Sequence, residues 1–314
     1  MTPAALWCMA PDRVEIRPGL MGEGVLVEAM FSGISRGTER LVASGRVPVS
    51  EHTRMRGPSM EGDFPFPVKY GYCSVGRVTE GNLKGRAVFA LFPHQTHYRL
   101  PEEALTPLPD DLPPDRAILA ANTETALTVL WDSGAGAGDR IAVVGAGVLG
   151  ALIAQLAARL PGAEVTLIDI NPDRADLARA LGLSFALPED APLDCDVVIH
   201  TSASQAGLSL SLSLAGQEAT VVEASWHGDT AVAVPLGGAF HSRRLRLVSS
   251  QVGNIPATRL PRWTYARRLA KALDLLRDPR LDVLISGETN FADLPTEYAS
   301  ILAAPGTLCH RIRY

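Results

Sequence analysis

Residues 141–150, I-A-V-V-G-A-G-V-L-G, constrain this chain more than any other stretch. The run 141–144 is apolar and mostly β-branched, which suits a strand covered on both faces. G-x-G-x-x-G follows at Gly145, Gly147 and Gly150, and then A-L-I-A-Q-L-A-A-R-L reads as a helix with an apolar face. Gly145 permits the tight strand-to-helix turn, Gly147 lets backbone approach a pyrophosphate, and Gly150 lets the helix lie close on the sheet. Val148 and Leu149 fill the first helical turn, whose N–H groups and positive dipole end suit phosphate. Three spaced glycines alone say little. Here a second apolar strand, E-V-T-L-I-D, ends on Asp169, 19 residues after Gly150. A dinucleotide-binding unit places the acid that hydrogen-bonds the adenosine ribose there. A membrane span over the uncharged run 141–158 is the competing reading. It fails on the three glycines and on the charged segments to either side.

Length and charge bound the rest. A chain of 314 residues, 46% hydrophobic and 20% charged, is expected to form about two soluble domains. A net charge of −5 argues against nucleic acid or an anionic membrane as partner. No basic and then apolar leader opens the sequence. Cys8, Cys73, Cys195 and Cys309 are widely spaced with no C-x-x-C pair, which fits a reducing compartment and offers no zinc cluster. A cytoplasmic location is expected.

Texture changes along the chain. Residues 1–118 read as β-strands with short helices. Ser35 or Thr38 is expected to cap a helix over 39–44, and residues 50–66 to form a surface loop or lid. From Leu119 strands and helices alternate, as in an α/β domain with a parallel sheet. Asn171 is the expected cap of the helix after Asp169, with Pro172 its first residue and Gly182 its stop. D-V-V-I-H, A-T-V-V-E-A-S and R-L-R-L-V-S-S are further strands. Between the first two, L-S-L-S-L-S-L at 208–214 alternates like a strand, yet two parallel strands need a crossover, so a helix is expected. The tail carries one helix, Y-A-R-R-L-A-K-A-L-D-L-L-R, and then short strands.

S-G-I-S-R-G-T-E, F-P-V-K-Y-G-Y-C-S-V-G-R-V, N-T-E-T-A-L, G-A-G-V-L-G with Asp169, and S-S-Q-V-G together resemble the medium-chain dehydrogenase/reductase superfamily. Within it they are most similar to the bacteriochlorophyllide hydroxyethyl dehydrogenase branch. The resemblance covers essentially the whole chain. It implies an α/β fold with a GroES-like β domain over 1–118 and 263–314 and a Rossmann domain over 119–262. It also implies oxidation of a secondary alcohol with NAD, NADP being the second choice. The zinc ligands of related alcohol dehydrogenases fall on Ser35 (or Arg36), Tyr72 and a position near Ala121, and the structural-zinc lobe is missing. Zinc needs three N, S or O ligands from the protein, so neither a catalytic nor a structural zinc is expected.

Without a metal, the developing alkoxide must be held by Tyr72, Thr38 or Ser35, which line the superfamily's substrate cleft. As an acid/base Tyr72 would need its pKa lowered from about 10. Alternatively it is a cleft-wall aromatic, and Ser35 and Thr38 are turn and cap residues. Strand alternation puts Lys69 on the face opposite Tyr72. His94, His97 and His200 read as strand-end structure. Asp169 favours NAD, because a 2′-phosphate would meet its carboxylate. Ile170 adjoins the ribose site, and Arg174 pairs Asp173, covers adenine or faces a phosphate. Thr201, Ser202, Ser250 and Gln251 follow strands, where the nicotinamide half belongs or where loops are simply polar. The expected partners are a small alcohol or carbonyl compound and a second copy of the chain, paired through the sixth strand. An NADPH-dependent enone or quinone reductase and a non-catalytic dinucleotide-binding protein are the alternatives.

Overall fold

A computed structural model describes residues 2–314. The chain divides into two units, Met1–Ala121 with Leu269–Tyr314, and Asn122–Arg268. The cuts fall inside helices α2 and α6 defined below.

The chain begins with β1 (Ala4–Ala10), β2 (Arg13–Pro18), β3 (Val25–Ser35), α1 (Arg36–Ala43), β4 (Glu61–Gly62), β5 (Val68–Lys69), β6 (Ser74–Val78), β7 (Ala87–Ala90), β8 (His97–Leu100) and β9 (Thr106–Pro107). Then come α2 (Ala120–Ser133), β10 (Arg140–Val144), α3 (Val148–Ala157), β11 (Glu164–Ile168), α4 (Arg174–Leu181), β12 (Ser184–Ala186), β13 (Cys195–His200), α5 (Gln205–Leu214), β14 (Ala215–Glu223) and β15 (Arg246–Ser249). The chain closes with α6 (Tyr265–Leu275), β16 (Ile285–Asn290), α7 (Leu294–Ala303) and β17 (Cys309–Arg313).

The first unit holds a four-stranded sheet, β2-β1-β5-β4, and a seven-stranded one, β16-β17-β3-β6-β7-β9 with β8 also paired to β3. β3 is central. Its first residues are partly exposed, but Ser32, Gly33, Ile34 and Ser35 are all buried, so that end is covered on both faces. β17 runs antiparallel to it, with Cys309 opposite Ser35. Gly33 is the residue this packing permits, because a Cβ there would lie 3.1 Å from Cys309 Sγ and 3.1 Å from Ile118 Cβ.

The second unit is a parallel six-stranded sheet in the order β12-β11-β10-β13-β14-β15. This is the Rossmann order, reversing direction beside β10. Ile141, Ala142 and Val143 are wholly buried, each branched side chain stabilising the fold by about 1.5–3 kcal/mol. β15 is an edge strand. The 208–214 alternation lies inside α5, where Leu208, Ser211, Leu212 and Leu214 are buried at helical spacing. The serines fit because Ser211 Oγ donates to Gly207 O at 2.8 Å and Ser213 Oγ to Leu210 O at 2.7 Å.

Three local expectations need correction. α1 begins at Arg36, and neither Ser35 nor Thr38 caps it with a side chain; Glu39 reaches back so that Ser35 N–H donates to its Oε1 at 2.7 Å. α4 starts at Arg174, after a turn in which Asn171 Oδ1 accepts the Asp173 amide at 3.0 Å. Pro172 therefore precedes the helix, while Gly182, at φ +72°, ends it. The tail carries a second helix, α7, which buries Leu294, Tyr298, Ile301 and Leu302. Among the described residues no helix is long and apolar enough to cross a membrane.

Candidate active site

The glycine loop of the second unit is held by backbone geometry. Gly145 has φ +111°, and a Cβ there would lie 2.8 Å from Ser202 N and from Thr201 Oγ1. At Gly150 a Cβ would fall 1.9 Å from Gly145 O. Gly147 is different. It is exposed, it precedes α3, and nothing lies within 4 Å of where its Cβ would be. The space beside it is open and faces the first turn of α3 at Val148 and Leu149, whose N–H groups precede the helix's own ladder. These residues therefore fit a dinucleotide pyrophosphate.

Asp169 stands one residue past β11. Its Oδ2 accepts the Ala146 amide at 2.7 Å and its Oδ1 the Asn171 amide at 2.9 Å. The carboxylate is thus locked onto the glycine loop with lone pairs left for hydroxyls. Ile170 beside it is 84% exposed, and Arg174 opens α4. Thr201 braces the loop: its Oγ1 donates to Gly145 O at 2.9 Å. Ser202 Oγ instead lies 2.7 Å from His200 Nε2 and 2.9 Å from Ser204 Oγ. Ser250 Oγ donates to Asp132 Oδ2 at 2.6 Å, and Gln251 Oε1 accepts the Gly253 amide at 2.7 Å. All four have local structural partners. For Thr201 the bracing role is one that loop polarity alone did not reveal.

In the first unit, Ser35, Thr38 and Tyr72 come together. The Tyr72 hydroxyl is hydrogen-bonded to the side chains of Ser35 and Thr38. Burial, and secondarily Cys73 and Tyr70, push its pKa well above 10, against the opposing pull of the two hydroxyls. The phenol is therefore neutral and a proton donor, not the low-pKa base that acid/base chemistry at neutral pH would need. Ser35 and Tyr72, the residues expected in place of zinc ligands, have hydroxyls that satisfy one another. Ala121, near which the third ligand is expected, offers no side-chain ligand atom.

Behind them lies a network that the sequence did not disclose. Glu39, 1% exposed, accepts Ser35 N–H, Tyr298 O–H at 2.7 Å and the His94 ring at 2.9 Å. His94 Nδ1 lies 2.8 Å from Ser32 Oγ, which is 2.9 Å from the Tyr314 hydroxyl. His94 Nε2 faces Glu39 and Nδ1 faces Ser32, so every member of the network has a partner. His94 thus belongs to the support of α1, deeper than a strand end. Lys69 is buried in an ion pair with Glu61, donates to Gln95 Oε1 at 2.7 Å, and lies 5.0 Å from the Phe92 ring centre. Burial lowers its pKa against the pull of Glu61.

Comparison with known proteins agrees with this geometry. The NAD-binding domain of 3-hydroxyacyl-CoA dehydrogenase, as a family model, matches residues 140–184. D-guloside 3-dehydrogenase of Escherichia coli (strain K12) is 27% identical over 187 residues, 55% of this chain and 53% of that protein. An uncharacterized zinc-type alcohol dehydrogenase-like protein of Haemophilus influenzae is 37% identical over 112 residues, 35% of this chain and 32% of that one. The chain thus matches about half the length, or less, of these relatives. L-idonate 5-dehydrogenase from Escherichia coli superposes with a TM-score of 0.81 at 15% identity, over 100% of this chain and 99% of that chain. The fold is that of the medium-chain alcohol dehydrogenases, a GroES-like β domain with a Rossmann domain.

Proposed function

We propose that this chain is a nicotinamide-dependent oxidoreductase that interconverts a small secondary alcohol and its ketone, with no zinc at the Ser35, Tyr72 and Ala121 positions. The observation that carries the reading is the open space at Gly147 before α3, with Asp169 locked to the adjoining loop. Bound there, the nicotinamide cofactor supplies the hydride acceptor or donor. The residues that grip it are Gly145, Gly147, Val148, Leu149, Gly150, Asp169 and Ile170, with Arg174, Thr201, Ser202, Ser250 and Gln251 flanking. Tyr72 donates a hydrogen bond from its phenol to the carbonyl oxygen as that oxygen gains charge, while Ser35 and Thr38 hold the phenol in place. NAD is the preferred cofactor, since Asp169 accepts from ribose hydroxyls and repels a 2′-phosphate. The protein works in the cytoplasm, in keeping with four buried thiols that form no disulfide. It pairs with a second copy along β15, whose edge would otherwise lie open; light scattering that returns only 33.4 kDa would rule this out.

Fluorescence titration with NADH and NADPH tests the reading. The wild type is expected to prefer NADH, and Asp169→Ser to narrow or reverse that preference. Failure to bind either nucleotide, or equal affinity of the wild type for both, would respectively sink the function or the cofactor choice.

A further inference from the structure

Three side chains at the carboxyl end of the second unit's sheet remain outside that reading. His200 closes β13, Glu223 closes the adjacent parallel β14, and the register sets the two opposite each other. His227 follows four residues later. His200 Nδ1 lies 2.7 Å from Glu223 Oε2, and His227 Nε2 lies 3.3 Å from the same oxygen. One ligand atom from each residue falls within 4.8 Å of the others. The His200 side chain is wholly buried, whereas those of Glu223 and His227 are 17% and 16% exposed, so the cluster opens to solvent on one side.

We propose that His200 Nδ1, Glu223 Oε2 and His227 Nε2 form a binding site for a divalent cation of the zinc type, with a fourth position left to water. Two imidazoles and a single carboxylate suit a borderline transition ion and supply too few oxygens for calcium or magnesium. Ligands about 2.0–2.2 Å from a tetrahedral zinc stand roughly 3.3–3.5 Å apart. The His227–Glu223 separation already matches. The His200–Glu223 separation is that of a hydrogen bond and must open by about half an ångström. In that exchange the ion takes the place of the proton between His200 Nδ1 and Glu223, and the ring carries its proton on Nε2 instead, where Ser202 Oγ accepts it.

The surroundings serve the ion-bound state as well as the empty one. Ser202 Oγ, 2.7 Å from His200 Nε2, can donate to a bare nitrogen or accept from a protonated one, so either ring tautomer is supported. The Ser225 amide donates to Glu223 Oε1 at 2.7 Å and leaves Oε2 to point at both rings. Gly207 on α5 keeps the room clear, since a Cβ there would lie 2.3 Å from Ser202 Oγ and 2.8 Å from His200 Nε2. The site lies in the second unit, so it stands or falls apart from zinc-free chemistry at Tyr72.

The test uses the full chain, stripped of metal by dialysis against chelator and titrated calorimetrically with zinc chloride alone. Elemental analysis after gel filtration is expected to give one zinc per chain. His227→Ala should weaken uptake tenfold or more, while His241→Ala, outside the cluster, should leave it unchanged. Zinc should raise the melting temperature of the wild type and not that of a folded His227→Ala. Should that variant misfold, Glu223→Gln takes its place with the same expectation. No stoichiometric uptake by the wild type, or full uptake by the folded variant, overturns the proposal.

Discussion

The glycine loop and the hydroxyl cluster show two ways of building a site. The loop of the second unit is made of backbone: Gly145, Gly147 and Gly150 act by what they lack, and Asp169 is fixed by two amides. Its parts lie within about thirty residues of sequence, as a βαβ unit requires. The cluster of the first unit is made of side chains drawn from distant segments. Ser35 and Thr38 meet Tyr72, and behind them Glu39 gathers His94 and Tyr298 from positions 55 and 259 residues away. A backbone site tolerates no added atom at its close approaches. A side-chain site tolerates reshaping but is sensitive to loss of a single hydroxyl.

Contrasting two glycines is expected to produce the largest effect. Gly150→Ala places a Cβ 1.9 Å from Gly145 O, a backbone atom that cannot give way without moving the loop. It should lower the melting temperature and abolish nucleotide binding. Gly147→Ala meets nothing within 4 Å. It should leave the melting temperature near the wild type and still weaken NADH binding, because the methyl enters the space meant for pyrophosphate. If both variants bind NADH normally, the loop is not the cofactor cradle.

Next in size is Tyr72→Phe, which keeps the ring and removes the hydroxyl. Loss of a hydrogen-bond donor to the developing oxyanion should cost ~10²–10³-fold in turnover with nucleotide affinity unchanged. Thr38→Val, which removes only one of the phenol's two partners, should cost less. Near-normal turnover in Tyr72→Phe makes the tyrosine a wall residue and moves the oxygen-binding role to Thr38 and Ser35. Because burial keeps the phenol protonated, the rate of ketone reduction should show no loss from its ionisation below pH 10.

The same contrast explains which features could be read from residues alone. The strand, glycines and acid of the second unit are local, and each carries its own stereochemical reason. α5 could be read despite its alternating leucines, because a parallel pair demands a crossover. α7 could not: L-P-T-E-Y-A-S-I-L-A has no side-chain cap, and Pro295 in its first turn resembles a turn signal. The Glu39–His94 pair escaped because nothing in either segment points to the other. Its only local sign was an acid following G-T at the start of α1. His200 read as a satisfied strand-end histidine, and it is satisfied; what the sequence hid is that Glu223 and His227 converge on it.

The smallest expected effect separates the two units by their thiols. Cys8, Cys73 and Cys309 lie in the first unit and Cys195 in the second, all of them buried. Burial pushes Cys8 and Cys309 up to about 12 and Cys195 to about 11 from an ordinary 9.0, and it raises Cys73 as well. A raised acid pKa means that the folded chain keeps protons which the unfolded chain releases. The stabilisation is complete below pH 9 and is lost as pH rises from there towards 12. Cys8, Cys309 and Cys195 should each cost about 1 kcal/mol by pH 10, and Cys73 acts in the same direction. Three thiols against one make the first unit the more alkali-sensitive. Proteolysis along a urea series, with fragments assigned by mass, should show its midpoint falling further than that of the second unit between pH 8 and pH 10. Cys309→Ala should reduce that fall without altering the second unit's. Equal shifts in the two units would mean that the thiols do not set the alkaline limit.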